Sequence, residues 1–210
     1  MITLAVIILL SYLVGSFPTG FVFAKLIKGV DIRTIGSKST GATNTSRLLG
    51  TKIAIVVLLI DIFKGLAATL IISRINLGDI ANQNEWIQLI AGICAIVGHI
   101  FPIWIGFKGG KGVGTGAGML LGLMPLELIM GFILFVVVVA LTRYISLGSI
   151  LIAVFVFAAL LVESLYLKYQ VPISHFVVSI IFLLAILITH RENIKRLVNG
   201  TENKFGQKPA

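Results

Sequence analysis

Long apolar runs separated by short polar connectors dominate the chain. They cover residues 2–24, 53–73, 87–105, 115–141, 147–167 and 172–189. A helix crossing a bilayer needs about 20 predominantly apolar residues, and five of the runs read as single spans on that basis. The sixth, 115–141, is interrupted by Met124-Pro125-Leu126-Glu127. Proline in the turn and Glu127 at its outer end divide it into helices over 115–124 and 127–141, the first too short to cross alone. The pattern predicts an all-α polytopic integral membrane protein of about seven transmembrane helices, two of them short. It reads as a single membrane-embedded domain over 1–210. Five spans, with 115–141 dipping in and out of one face, is the neighbouring arrangement. The start reads as a first span rather than a cleaved signal peptide. No positive residue precedes the apolar run, and no clear small-x-small cleavage site follows it.

Charge supplies the orientation. Segment 25–52 carries Lys25, Lys28, Arg33, Lys38, Arg47 and Lys52 against one acid, Asp31. Segment 106–114 adds Lys108 and Lys111, and Arg143 stands between two apolar runs. The tail from His190 carries Arg191, Lys195, Arg196, Lys204 and Lys208 against Glu192 and Glu202. Segment 74–86, by contrast, holds Asp79 and Glu85 against Arg74. Positive charge near span ends stays on the cytoplasmic side. The four basic segments are therefore expected inside and 74–86 outside, with the N-terminus outside and the C-terminus cytoplasmic. Splitting 115–141 is what keeps Arg143 and the tail on the inner side.

Composition narrows the class. Hydrophobic residues make up 58% of the 210 and charged residues 12%, against roughly 25% charged in soluble domains. Too few charges remain to cover a soluble surface. That excludes a cytosolic globule, a disordered chain and a basic nucleic-acid-binding domain, so no nucleic-acid partner is expected. The single cysteine, Cys94, excludes an internal disulfide and a cysteine-rich zinc site.

Two connectors carry the parts of an anion cradle. Residues 31–47 are dense in Gly, Ser, Thr and Asn and end in Arg47. They offer backbone N–H groups, hydroxyls and a guanidinium fork. A plain polar loop is the alternative, weakened by the lack of acids after Asp31. Residues 106–118 hold seven glycines in thirteen positions, with Lys108 and Lys111 among them. Glycine costs about 1 kcal/mol against Ala within a helix, so this stretch is expected to be a non-helical phosphate grip. It would lead into the N-terminus of helix 115–124, where the dipole favours an anion. A flexible basic loop against anionic lipid heads is the alternative. A Walker A loop it is not: the glycine spacing differs, and Gly112 stands where Ser or Thr would hold magnesium. Past the last run, His190 and Asn193 share one helix face, and Arg191 and Lys195 share another. A snorkelling basic collar explains such a segment equally well.

Other polar residues read structurally. Asp61 and Lys64, three apart within a span, are expected to pair. His99, at a span end, suits a capping or hydrogen-bonding role, and His175 is expected to have no function. No His is followed five residues later by Asp, so the dyad of CoA-dependent glycerolipid acyltransferases is absent. No Gly-x-Ser-x-Gly turn or metal-binding carboxylate cluster occurs, and no metal is expected.

Together these segments resemble the bacterial acyl-phosphate-dependent glycerol-3-phosphate acyltransferases, the PlsY family, over essentially the whole length. The resemblance rests on Gly-Ser-Phe-Pro-Thr-Gly at 15–20, Asp-Ile-Arg-x-x-Gly-Ser at 31–37 and Gly-Ala-Thr-Asn at 41–44. It continues with Gly-His-Ile-Phe-Pro at 98–102, Phe-Lys-Gly-Gly-Lys-Gly-Val at 107–113 and His-Arg-x-Asn-Ile-x-Arg-Leu at 190–197. Asp-Ile-Phe-Lys-Gly at 61–65 is similar as well. It implies a seven-helix bundle in the bacterial inner (cytoplasmic) membrane with its active site facing the cytoplasm. The implied activity moves an acyl group from acyl-phosphate to the sn-1 hydroxyl of glycerol 3-phosphate, giving lysophosphatidate and phosphate for phospholipid biosynthesis. No cofactor is implied. The partners are the two substrates, membrane lipid, and an enzyme that produces acyl-phosphate.

Position by position, the resemblance places Ser37, Thr43, Asn44 and Arg47 in a phosphate-binding loop. Lys108, Gly109, Gly110 and Gly112 fall in the glycerol-3-phosphate segment, with Lys111 beside them. Ser146 matches a further family serine, and His190 and Asn193 fall in the third motif. His190, Asn193 and Ser37 are the catalytic candidates. One departure stands out. Lys38 and Ser39 replace the Gly and Asn usual in the family. For the hydroxyl proton, His190 and the leaving phosphate are both candidates, and the resemblance favours the phosphate. A small transporter or flippase for a phosphorylated solute is the alternative function.

Overall fold

The computed structural model describes residues 1–78 and 85–206. Asp79, expected in an outer loop, lies outside the described residues. Every regular element among them is helical. Packing gathers the described residues into two compact units, one up to Gly122 and one over 123–206.

The first unit opens with α1 (Ile2–Ser16) and α2 (Thr19–Lys28). Run 2–24, expected as one helix, is thus broken at Phe17-Pro18. Proline drives the preceding residue out of the helical region, and Phe17 is extended at φ −58°, ψ 114°. α2 stops at Gly29, left-handed at φ 70°, with Lys25 and Lys28 in its last turn. A 3-10 turn (Ile32–Thr34) leads to α3 (Ala42–Leu49), a helix within the stretch read as a loop, and then to α4 (Thr51–Leu70). α5 (Glu85–Ile100) follows, then a 3-10 turn (Ile103–Ile105) and α6 (Val113–Leu123).

α6 corrects the reading of residues 106–118 as non-helical. The irregular stretch ends at Gly112, and Gly114, Gly116 and Gly118 lie inside the helix. The reason is close helix packing. A Cβ on Gly118 would strike the Ile62 carbonyl oxygen of α4, and one on Gly65 of α4 would strike the Thr115 carbonyl oxygen of α6. Small residues let membrane helices approach backbone to backbone, which offsets the low helix propensity of glycine. α1 and α5 use the same device, with Gly15 against Ala95 and Gly98 against the Tyr12 carbonyl.

The second unit contains α7 (Pro125–Thr142), α8 (Ile145–Leu165), α9 (Ile173–Thr189) and α10 (Arg191–Val198). The break expected around Met124–Glu127 is present. Proline occupies the first helical position of α7, where its missing N–H costs nothing. α7 is longer than the expected 127–141 and, at 18 residues, is long and apolar enough to cross a membrane. Gly131 and Gly148 hold α7 and α8 close: a Cβ on either would come within 2.7 Å of Ile152 or Phe135 respectively.

Among the described residues, five helical segments meet the length and apolarity of a span: Ile2–Lys28, Thr51–Arg74, Glu85–Ile105, Pro125–Thr142 and Ile145–Leu165. α9 with α10 makes a sixth if taken together, bent by 63°. α6 is apolar but shorter.

Candidate active site

Within the first unit, the loop before α3 is organised by Asn44, buried at 1% exposure. Its Nδ2 donates to the carbonyls of Ile32, Ile35 and Ser39 at 2.9–3.0 Å, and its Oδ1 accepts the Ser37 N–H at 3.1 Å. The polar capacity of Asn44 is turned onto the loop that carries Ser37. Gly36 is left-handed at φ 56°, and a Cβ there would lie 2.5 Å from Asn44 Oδ1. Ser37, Thr43 and Arg47 are partly buried on this loop and the first turns of α3. At the loop's start, Arg33 Nη2 pairs with Asp31 Oδ2 at 2.7 Å. That hydrogen-bonded guanidinium holds the Asp31 carboxyl below its usual range.

The glycine-lysine segment folds back on the end of α5. The N–H groups of Phe107, Gly109 and Gly110 donate to the carbonyls of Pro102, Ile100 and His99 at 2.9–3.0 Å. The Gly109 and Gly110 amides are thus spent inside the protein, and their lack of a side chain serves close packing. A Cβ on Gly109 would strike the His99 carbonyl and Pro102, and one on Gly110 would strike the His99 ring. Lys108 is exposed and Lys111 partly buried. Gly112 is left-handed at φ 80°. Two contacts join this segment to the first loop. Thr40 N–H donates to the Gly109 carbonyl at 3.4 Å, and Arg33 Nη1 donates to the Ile105 carbonyl at 2.5 Å. The first two motifs are therefore brought together.

Behind them lies a buried polar network. Asp61 and Lys64 form the expected pair, with Lys64 Nζ at 2.7 Å from Asp61 Oδ1. Thr19 Oγ1 donates to the same carboxylate oxygen at 3.0 Å. Lys64 also donates to the carbonyls of Phe17 at 2.8 Å and Gly15 at 3.3 Å, where the helix break leaves them without helical partners. Charges inside a membrane helix persist only when such partners offset their desolvation.

In the second unit, His190 is the hinge between α9 and α10. Its Nδ1 lies 3.0 Å from the Ile186 carbonyl. A carbonyl only accepts, so this contact puts the ring proton on Nδ1 and the lone pair on Nε2. Asn193 Nδ2 and Ser146 Oγ both donate to Glu202 Oε1, at 2.7 and 3.1 Å, and Arg196 Nε donates to Oε2 at 2.7 Å. The third motif and Ser146 are thus joined through Glu202. Sequence reasoning passed over Glu202 as one acid in a basic tail. The available signal was an acid retained just beyond Gly200, in a segment otherwise rich in cations.

These features define a polytopic helical membrane protein whose polar segments concentrate cations, hydroxyls and amides. Residues 5–200 match the family model described as glycerol-3-phosphate acyltransferase. A protein of Chlorobaculum tepidum named glycerol-3-phosphate acyltransferase is 42% identical, covering 99% of this chain and all of the relative. One of the same name from Halalkalibacterium halodurans is also 42% identical, covering 94% of this chain and 93% of the relative. The fold is similar to the crystal structure of PlsY, an integral membrane glycerol 3-phosphate acyltransferase, in its glycerol 3-phosphate form. That match has a TM-score of 0.84 and 35% identity, covering 97% of this chain and 96% of the other. The lysophosphatidic acid form of PlsY matches with a TM-score of 0.81 and 34% identity, over 97% and 95% of the two chains. The chain belongs to the glycerol-3-phosphate acyltransferase family.

Proposed function

We propose that this protein acylates glycerol 3-phosphate at its sn-1 hydroxyl, using acyl-phosphate as donor, at the cytoplasmic face of a bacterial inner membrane. The products are lysophosphatidate and inorganic phosphate. The hydroxyl oxygen attacks the acyl carbonyl carbon, and the bond from that carbon to the bridging phosphate oxygen breaks. The hydroxyl proton passes to the departing phosphate, with His190 and Asn193 positioning the reactants. Acyl-phosphate is a mixed anhydride and already activated, so the protein's work is to hold two anions together and offset their charge. Lys108, Lys111 and Arg47 supply positive charge, while Ser37, Thr43 and Ser146 supply hydroxyls. Asn44 acts by shaping the first loop, and the glycines from Gly109 to Gly112 by letting the second fold tightly. The acyl chain remains among the apolar helices. An enzyme that makes acyl-phosphate must operate upstream.

The observation that carries this reading is the link between Thr40 and Gly109, which unites the hydroxyl-rich loop with the lysine-bearing one. The test uses purified full-length protein in detergent. Phosphate release from acyl-phosphate should require glycerol 3-phosphate, with lysophosphatidate appearing in equal amount by mass spectrometry. Binding of glycerol 3-phosphate without turnover would instead identify a carrier for a phosphorylated solute. His190→Gln separates the proton acceptors: a collapse of kcat at unchanged affinity identifies His190 as the base, and a loss mainly of affinity supports the positioning role.

A further inference from the structure

We propose that Lys64, Asp61 and His99 form a positioning device that sets the conformation of the lysine-bearing loop for glycerol 3-phosphate. All three are buried, with exposures of 4%, 3% and 7%. They stand between two structures that need holding. On one side Lys64 bonds the carbonyls of Gly15 and Phe17 at the break between α1 and α2. On the other side His99 meets the glycine-lysine loop at two points. Its carbonyl accepts the Gly110 N–H at 3.0 Å, and its ring lies against Gly110 so closely that a Cβ would overlap Nε2.

The link between the two sides is the 3.4 Å approach of Lys64 Nζ to His99 Nδ1. An ammonium only donates, so the nitrogen it faces presents a lone pair and the ring proton sits on Nε2. Protonating Nδ1 would set two cations face to face. Asp61 supports the arrangement by neutralising Lys64, whose Nζ lies 2.7 Å from its Oδ1. The ring is therefore set in its tautomer by Lys64 of α4. The loop it supports turns at Gly106 and Phe107, both at positive φ (69° and 60°), and carries Lys108 one residue further on. An ion pair inside a span thereby acquires a task beyond its own neutralisation: it holds a surface lysine in register through a histidine.

The inference rests on the reading that Lys108 holds the substrate phosphate, and the experiment separates the two. Purified full-length variants are assayed for KM with each substrate and for kcat. His99→Leu removes the acceptor facing Lys64 and should raise KM for glycerol 3-phosphate by about tenfold, with KM for acyl-phosphate nearly unchanged. His99→Asn, whose side-chain oxygen can replace Nδ1 as acceptor, should recover most of that loss. Gly110→Ala should raise the same KM by about tenfold in the native background and by under about twofold beside His99→Asn, where Nε2 is gone. This second pair keeps the test intact if His99→Leu fails to fold. Equal damage from Gly110→Ala in both backgrounds would overturn the proposal. So would a raised KM in Lys108→Ala beside an unchanged KM in His99→Leu. An unchanged KM in Lys108→Ala would bring down the phosphate-holding reading and this inference with it.

Discussion

Asn193 Nδ2 donates to Glu202 Oε1 at 2.7 Å, on the carboxylate oxygen that also accepts from Ser146. Two side chains assigned to the reaction thus take their orientation from one buried acid. Arg196 on the other oxygen neutralises it. Glu202→Ala should leave these polar groups without their shared acceptor, at about 1–3 kcal/mol for each buried group orphaned. Melting in detergent should fall clearly, and kcat with it. Glu202→Gln keeps an acceptor for Asn193 and Ser146 but places an amide against Arg196, and should fall between alanine and the native chain. A native melting temperature in Glu202→Ala would contradict this account.

Asn44 makes a sharper case because its replacement can be isosteric. Asn44→Asp preserves shape but removes the donor that three carbonyls share, setting a carboxylate oxygen against them. The loop should open, with KM for glycerol 3-phosphate rising by about tenfold or more. Asn44→Ser should be milder, since it adds no like-charged contact. Kinetics of the two variants, compared at matched melting temperature, would check the order.

Lys38 occupies a left-handed position at φ 57°, the place where the family resemblance implies glycine. A side chain with a Cβ costs about 1–2 kcal/mol there. Lys38→Gly should therefore stabilise the folded protein, the gain reduced somewhat by the greater freedom of glycine in the unfolded chain. Thermal unfolding measures it, and a lower melting temperature would show that Lys38 makes a contact outweighing its strain.

Asp31 carries a pH dependence. Its carboxyl is held below the usual range chiefly by the Arg33 hydrogen bond. The folded-state value is depressed, so the stabilisation is fully present above the ordinary carboxylate value and is lost as pH falls through the depressed one. Because both side chains are partly exposed, salt should weaken the effect. In Asp31→Asn, acid unfolding should lose this component, bringing the variant and native stabilities together at low pH and apart at neutral pH. Equal differences at both pH values would refute the assignment.

Some of this was local and therefore legible in the chain. The spans follow from run length, the break before α7 from Pro125, and the Asp61–Lys64 pair from a spacing of three on a helix. The motif positions marked which loops carry the cations and hydroxyls. Pro18 was legible by the same rule as Pro125, yet apolar residues on both sides hid the break it makes.

Run length and residue type settle the inventory: apolar segments long enough to span, and a set of cations, amides and hydroxyls suited to phosphate. The use of each member emerges only in the folded molecule. In the sequence, Gly110, Gly112 and Gly118 look alike. In the fold the first admits a histidine ring, the second takes a left-handed turn and the third admits a neighbouring helix backbone. Glu202 likewise looks like any acid in a basic tail until the chain returns it to Ser146, 56 residues away. Propensity and spacing act over a turn or two of chain. Burial and hydrogen-bond partnership are set by residues far apart in sequence, so those assignments had to come from the folded molecule.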